Sequence, residues 1–103
     1  MCVKLEEKTQ PYQYNILVDD NKIGEMYCER CRITDIEIER SHRGEGYGKE
    51  AVKKWVEMRE SDCDRLDTTP IMSDAMEQIL KDLDFKKEEV DRMDGQYRYV
   101  LET

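Results

Sequence analysis

The feature that most constrains this sequence is an alternating segment that leads through a glycine-rich junction into an amphipathic pattern. From Arg32 to Glu39, apolar or small side chains largely alternate with acidic ones, which predicts a strand with one buried face. After the polar stretch that ends at Gly48, apolar residues recur at helical spacing from Ala51, which predicts a helix to about Ser61. A helix that connects two neighbouring strands implies a right-handed crossover, so part of the sheet is expected to be parallel.

Further strands and a second helix are predicted on both sides of this unit. Short apolar runs separated by turn-forming residues, such as those from Asp19 to Asn21, are typical of hairpins. The predicted strands are Tyr14 to Val18, Lys22 to Cys28, Arg32 to Glu39 with Thr34, Ile36 and Ile38 on its buried face, Leu66 to Thr68, Lys86 to Val90 and Gln96 to Leu101. The second helix covers Ala75 to Leu83 behind a Ser73 cap. The fold class is therefore α+β: a single mixed, mostly antiparallel sheet flanked by two main helices.

Length and charge exclude several classes of protein. The 103 residues predict one domain, 1–103, because a single core takes about 100 residues. The 17 basic and 25 acidic residues give a net charge of −8, which opposes binding to nucleic acid or to an anionic membrane. No apolar stretch approaches the roughly 18 residues of a membrane-spanning helix, and Met1 to Gln10 lack the apolar centre of a signal peptide. The expected location is cytoplasmic.

The four cysteines are expected to be reduced thiols, since no secretion signal is visible. Cys28 and Cys31 form a CxxC pair, for which the favoured interpretation is two thiols at a turn. A zinc-stabilised interaction domain is the alternative, and it would need two further ligands from Cys2, Cys63 and His42. Because no second paired motif is present, no metal site is predicted.

The glycine-rich junction has the composition of an anion-binding loop. Glycines allow close approach of the backbone, helix-start amides carry partial positive charge, and Arg43 adds a full charge. Two phosphate-loop motifs are excluded. The nucleoside-triphosphate loop requires a Ser or Thr after its lysine, whereas Glu50 follows Lys49, and the dinucleotide fingerprint GxGxxG fails on spacing.

The junction resembles the acyl-CoA signature RxxGxG of the GNAT acetyltransferase superfamily, which Arg43, Gly46 and Gly48 match. The strand before the loop, the helix after it and the order of later elements extend the resemblance over Tyr14 to Leu101. It implies the acyl-CoA N-acyltransferase fold and acetyl-CoA as cosubstrate. It also implies that the cofactor-binding residues are Ile36 and Ile38, whose backbone pairs with the pantetheine arm, and Arg43, Gly44, Glu45, Gly46, Tyr47, Gly48 and Lys49, around the pyrophosphate.

The sequence also departs from that family. Two helices that usually lie between the first strands and shape the acceptor site are missing, since Asp19 to Lys22 allows only a turn. Ser73 stands where an Asn is frequent, and Leu80 stands where a Tyr usually protonates the leaving thiolate. At the end of the same helix, Asp84 replaces a small residue before Phe85.

Two acidic residues are the candidates for a general base. Glu37 and Asp35 project from the strand that would flank the pantetheine, although carboxylates that only solvate a sheet face are the plainer interpretation. His42 is interpreted as an exposed, non-catalytic loop residue.

The function predicted from these features is an N-acetyltransferase that passes the acetyl group of acetyl-CoA directly to an amine. The negative charge favours a cationic acceptor, either a small molecule or a protein amine. The alternative is a CoA-binding module without significant catalysis, acting as a sensor or as a subunit of a larger assembly. The chain is predicted to be a monomer, or a homodimer formed through an exposed edge strand.

Overall fold

The computed structural model of the chain describes residues 3–69, 73–89 and 97–103. Seven strands and two α-helices make up these ranges, with a short 3-10 turn at Arg40–His42. The strands are β1 (Val3–Glu7), β2 (Gln13–Val18), β3 (Asn21–Glu29), β4 (Arg32–Ile38), β5 (Arg65–Thr68), β6 (Lys86–Glu89) and β7 (Tyr97–Glu102). The helices are α1 (Tyr47–Arg59) and α2 (Asp74–Asp82).

The strands form one mixed sheet in the order β1-β2-β3-β4-β5-β7-β6. Every neighbouring pair is antiparallel except β4 and β5, which are parallel and connected through α1. This arrangement confirms the α+β class and the mostly antiparallel sheet. The structure begins α2 as expected, because the Ser73 hydroxyl accepts a hydrogen bond of 3.3 Å from the Met76 amide.

The first strand, β1, was not predicted, and the prediction of six strands is wrong by one. Its sequence has only two apolar residues, Val3 and Leu5, among three charged ones, so its local pattern is weak. The strand forms because it pairs with β2 over its whole length, which brings Val3 opposite Val18 and into the core. Pairing of this kind comes from the tertiary fold and leaves little trace in a five-residue window.

The simple alternation predicted for β4 is broken at its start. The register between β3 and β4 shifts between Tyr27 and Cys28, so Thr34 is an extra residue whose hydroxyl donates 2.8 Å to the Tyr27 carbonyl. Ile33 therefore enters the core beside Cys28 and is only 2% exposed, whereas Thr34 had been expected on that face. Ile36 and Ile38 remain half-buried against the core.

Both helices lie on one face of the sheet and share one hydrophobic core with it. Ala51, Val52 and Trp55 of α1 and Met76 and Leu80 of α2 belong to the same buried cluster. The opposite face, which we call the open face, carries ion pairs. These are Lys8–Glu25–Lys22, Arg32–Asp67 and Arg65–Glu88–Arg98.

The expectation that all cysteines are reduced thiols is wrong for two of them. Cys31, at the turn between β3 and β4, forms a disulfide with Cys63, which follows α1. The pairing is nonlocal: the parallel alignment of β4 with β5 brings the two Cα atoms, 32 positions apart in sequence, within 6.0 Å. Cys31 is therefore not free to bind zinc with Cys28. Burial raises the pKa of the Cys28 thiol to about 12, so it stays protonated and does not attack the disulfide at neutral pH.

Several predicted features lie outside the described residues. They are the end of the strand predicted to reach Val90, the connection from Asp91 to Gly95, Gln96, Pro70 and Cys2. Within the described ranges, neither helix has the length and apolar character needed to cross a bilayer. The same ranges contain no group of three or more His, Cys, Asp or Glu side chains arranged around a metal position.

Candidate active site

The site begins where β4 and β5 separate. The two strands pair only at Arg32 with Asp67 and Ile33 with Thr68. Thr69 makes the last two hydrogen bonds between the strands. Its amide donates a hydrogen bond of 3.0 Å to the Ile33 carbonyl, and its hydroxyl donates one of 3.1 Å to the Thr34 carbonyl. We call this junction of Ile33, Thr34 and Thr69 the β4–β5 fork. Beyond it, the edge of β4 faces a cavity.

The free edge of β4 presents backbone groups of Ile36 and Ile38. The Glu39 amide donates to the Ile23 carbonyl of β3, and groups alternate along an antiparallel pair, so the backbone of Ile36 and Ile38 points away from β3. Two of these groups have partners. The Ile36 amide donates 2.9 Å to the Asp35 carboxylate, and the Ile38 carbonyl accepts 2.9 Å from Arg43 Nε. The Ile36 carbonyl and the Ile38 N–H have none among the described residues.

The glycine-rich junction places six consecutive N–H groups, from Gly44 to Lys49, without an acceptor in the part of the chain that the structure describes. Gly44 and Gly46 have φ of +82° and +83°, values that strain any residue with a side chain. Gly46 is the N-cap of α1 and offers no side-chain acceptor to the first turn. The loop and the helix start therefore present their amides outward, as an anion-binding site requires.

The free edge of β4, the junction and α2 enclose one cleft with a volume of about 990 Å³. It collects most of the residues that the sequence suggested for acyl-CoA binding, but Glu45 does not line it. The predicted residues in the lining are Asp35, Ile36, Glu37, Ile38, Arg43, Gly44, Gly46, Tyr47, Gly48 and Lys49. Their roles there remain predictions.

Helix α2 forms the wall that sequence reasoning missed. Gly48 lies so close to it that a Cβ at this position would be 3.3 Å from the Ile79 side chain. Lys49 reaches across to Asp82 at 3.7 Å, and Gln78 also lines the cleft. The amphipathic pattern of α2 predicts which of its residues enter the core, but it does not indicate which residues of α2 lie beside the start of α1.

The two candidate bases lie on exposed positions of β4. In the register with β3, Glu37 is opposite Glu25 and Asp35 is opposite Tyr27, which puts all four on the open face. Hydrogen bonds from Lys22 Nζ, the Tyr27 hydroxyl and Lys8 Nζ lower the pKa of Glu25 to about 2. The Tyr27 hydroxyl, bonded to that carboxylate, has its pKa raised to about 12. Glu25 is thus held as an anion, and it does not line the cleft, whereas Asp35 and Glu37 do.

His42 and Tyr47 stand together at the cleft, with ring centroids 6.2 Å apart and planes tilted by 53°. Both line the cavity. The position of His42 follows from the 3-10 turn at Arg40–His42, which folds the chain back between β4 and the glycines.

Solved structures with a similar architecture are known. No protein-family model matches the chain, and no curated protein does. Among solved structures, a Bacillus subtilis acetyltransferase in complex with CoA aligns with a TM-score of 0.71 and 15% identity, over 98% of this chain and 97% of that one. A GNAT-family acetyltransferase from Bacillus cereus aligns with a TM-score of 0.67 and 13% identity, over 89% of this chain and 69% of that one.

The chain has the GNAT acyltransferase fold. A NatC complex bound to Gag peptide and CoA also aligns, with a TM-score of 0.68 and 17% identity over 89% of this chain and 71% of that one. The chain spans less than two thirds of two other solved structures with which it aligns: 61% of a probable acetyltransferase and 64% of a Pyrococcus horikoshii protein.

Within the GNAT fold, the structure locates the departures noted in the sequence. Because β1 precedes β2, the connection between the first two strands is 8–12 and not the Asp19 to Lys22 turn, but it too contains no helix. Leu80, where the resemblance implies a tyrosine, is fully buried in the core. Ser73, where it implies an asparagine, caps α2 and also lines the cleft.

Proposed function

We propose that this chain is an N-acetyltransferase of the GNAT type, which binds acetyl-CoA in the cleft and passes the acetyl group directly to an amine. The observation that carries the proposal is the convergence of two sets of backbone groups on one cleft. The first set is the N–H groups of Gly44, Gly46, Tyr47, Gly48 and Lys49, which have no acceptor among the described residues, and the second is the free β4 edge at Ile36 and Ile38. A diphosphate and an amide-bearing arm are the two parts of a CoA ester that such groups would hold.

The residues divide this work between them. The amides of the junction would hold the pyrophosphate, while Arg43 is fixed by its bond to the Ile38 carbonyl and keeps its remaining guanidinium N–H groups for phosphate. The Ile36 carbonyl and the Ile38 N–H would pair with the pantetheine amides as a neighbouring strand does. Acetyl-CoA supplies an acetyl group activated as a thioester.

Chemistry in this cleft would rest on positioning and on backbone donors. The amine nitrogen forms the new amide bond as the carbon–sulfur bond breaks, and the amine gives up one proton while the departing thiolate takes one. Glu37 and Asp35 are the proposed acceptors of the amine proton, directly or through water. With Leu80 buried, the described side chains offer no tyrosine at the family's position for protonating the thiolate, so water is the proposed source.

The acceptor is proposed to be a cationic amine, either a small molecule or a protein amine. The chain carries a net charge of −8, and the exposed carboxylates of Asp35 and Glu37 lie beside the cleft. Such a field raises the local concentration of cations and repels anionic acceptors.

Binding is tested by calorimetric titration of CoA and acetyl-CoA into the wild-type chain and into Gly46→Glu. The variant puts a carboxylate among the amides at a position whose φ is +83°, so affinity is expected to fall at least about 100-fold. Ser61→Glu adds the same charge in the exposed turn at the other end of α1, about 20 Å away, and should bind normally. Equal affinities in all three proteins, or no binding at millimolar CoA, contradict the proposal.

Turnover is measured separately, by mass spectrometry of acetylated product with a polyamine, a lysine-containing peptide and a peptide with a free N-terminus. An acetyltransferase releases CoA only as amine is consumed. The alternative function, a CoA-binding module without catalysis, predicts stoichiometric binding and no amine-dependent product with any acceptor.

A further inference from the structure

The first strand of the sheet has an unused edge. In the part of the chain that the structure describes, β1 pairs with β2 alone and stands at the end of the strand order. Exposed edges of this kind recruit other strands unless they are blocked.

The backbone groups on the outer edge of β1 can be assigned from one hydrogen bond. The Lys8 amide donates 2.7 Å to the Gln13 carbonyl, which continues the β1–β2 register. Because groups alternate along an antiparallel pair, Lys4 and Glu6 also bond to β2. The N–H and carbonyl groups of Val3, Leu5 and Glu7 therefore point outward.

We propose that a second copy of this chain adds to this edge, with the two β1 strands antiparallel and the two-fold axis passing between their Leu5 residues. Leu5 would exchange both backbone hydrogen bonds with Leu5 of the partner subunit, and Val3 would do so with Glu7 of the partner subunit. The two sheets would then continue across the dimer. This inference does not depend on the proposed activity.

Charge selects this register. With the axis perpendicular to the sheet, opposed residues must lie on the same face, so only registers centred on a residue are allowed. A centre at Lys4 opposes two lysines, and a centre at Glu6 opposes two glutamates. The centre at Leu5 pairs all five residues of β1 and sets each Lys4 opposite Glu6 of the partner subunit, at the closely spaced, non-hydrogen-bonded positions.

Apolar surface lies on the helix side of the same edge. Val3, Leu5 and Met58 line one groove between β1 and α1, together with the charged Lys4, Lys54 and Glu57. Met58 is 43% exposed, more than Tyr97, the other exposed large apolar side chain of the described ranges. The opposite edge of the sheet, β6, is Lys-Lys-Glu-Glu with no apolar residue, and its Glu88 is already bonded to Arg65 and Arg98. The apolar side chains of Leu5 and Met58 beside the edge thus favour β1 as the self-pairing edge.

Charge reversal tests the register directly, with sedimentation velocity on the full chain. Lys4→Glu sets glutamate opposite glutamate, and Glu6→Lys sets lysine opposite lysine, so each variant alone should dimerise at least about tenfold more weakly than the wild type. A mixture of the two restores both opposite-charge pairs and should form a heterodimer. The double variant Lys4→Glu/Glu6→Lys should form homodimers again.

Unfolding of the single variants would not produce that pattern, because mixing two unfolded chains would not restore a dimer. Lys4 is 63% exposed, and its ion-pair partner Asp20 is 4.0 Å away, so little native structure depends on it. A wild-type chain that stays monomeric at about 0.5 mM overturns the proposal. Single variants that dimerise as strongly as the wild type also overturn it, because the dimer interface then lies elsewhere and the edge of β1 is left for a different partner.

Discussion

The Thr69 hydroxyl donates a hydrogen bond of 3.1 Å to the Thr34 carbonyl, at the last point where β4 and β5 are joined. The Thr69 amide donates to the carbonyl of Ile33, one residue earlier in β4, so a single residue bonds two successive carbonyls of that strand. The next residues of β4 have their outer edge free for the cleft. Thr69 therefore sets the position at which the free edge begins.

Thr69→Val is expected to move or loosen the β4–β5 fork. The substitution keeps the branched shape but removes the hydroxyl, which costs about 1 kcal/mol of unfolding free energy and, through a less fixed β4 edge, about fivefold in CoA affinity. Thr69→Ser keeps the hydroxyl and should bind CoA like the wild type. Urea unfolding and calorimetric titration measure the two effects. An unchanged CoA affinity in Thr69→Val would show that the fork does not position the ligand.

The disulfide between Cys31 and Cys63 is expected to stabilise the unit that contains the cleft, since β4, the glycine-rich junction and α1 all lie between the two residues. Cross-links that close loops of this length contribute about 4 kcal/mol when they are unstrained. Cys63→Ser, or reduction of the wild type, should therefore lower the urea midpoint to a similar extent. Reductant should not change the midpoint of Cys63→Ser, and an unchanged wild-type midpoint after reduction would contradict the bond.

Local patterns predicted those parts of the molecule whose partners are close in sequence. The junction from Arg43 to Gly48 follows a strand and starts a helix, so its place in the fold was predictable from the sequence pattern, while its role in binding stays a prediction. The disulfide, the strand β1 and the role of Thr69 depend on contacts across the sheet, where the sequence pattern is weak. The regular alternation predicted for β4 is wrong at the bulge for the same reason: the extra residue, Thr34, is defined only by the register of β4 with β3.

Glu25 should contribute to stability in acid. Hydrogen bonds from Lys22, Tyr27 and Lys8 lower its pKa in the folded chain from the ordinary value of 4.5 to about 2. Because the folded pKa lies below the unfolded one, the contribution is fully present above pH 4.5 and is lost as the pH falls to about 2. As the pH is lowered between these two values, the urea midpoint of unfolding should fall less steeply for Glu25→Gln than for the wild type. Glu57→Gln, on a residue without an ion pair in the described ranges, should keep the wild-type slope; an equal slope in Glu25→Gln would refute the assignment.

Gly24 should be the least replaceable of the four glycines that the structure describes. A Cβ at this position would lie within 2.1 Å of the Glu37 carbonyl oxygen, which is backbone and cannot turn aside, so β3 and β4 must separate locally. Gly24→Ala is expected to cost about 3 kcal/mol of unfolding free energy. Gly44→Ala is the matched control, because a Cβ there meets nothing within 4 Å and only the φ of +82° opposes it, a cost of about 1 kcal/mol. Guanidinium unfolding of both variants measures the difference. Equal losses would mean that β3 and β4 do not approach as closely as their register implies, and the free edge of β4 would then be less firmly held than the cleft requires.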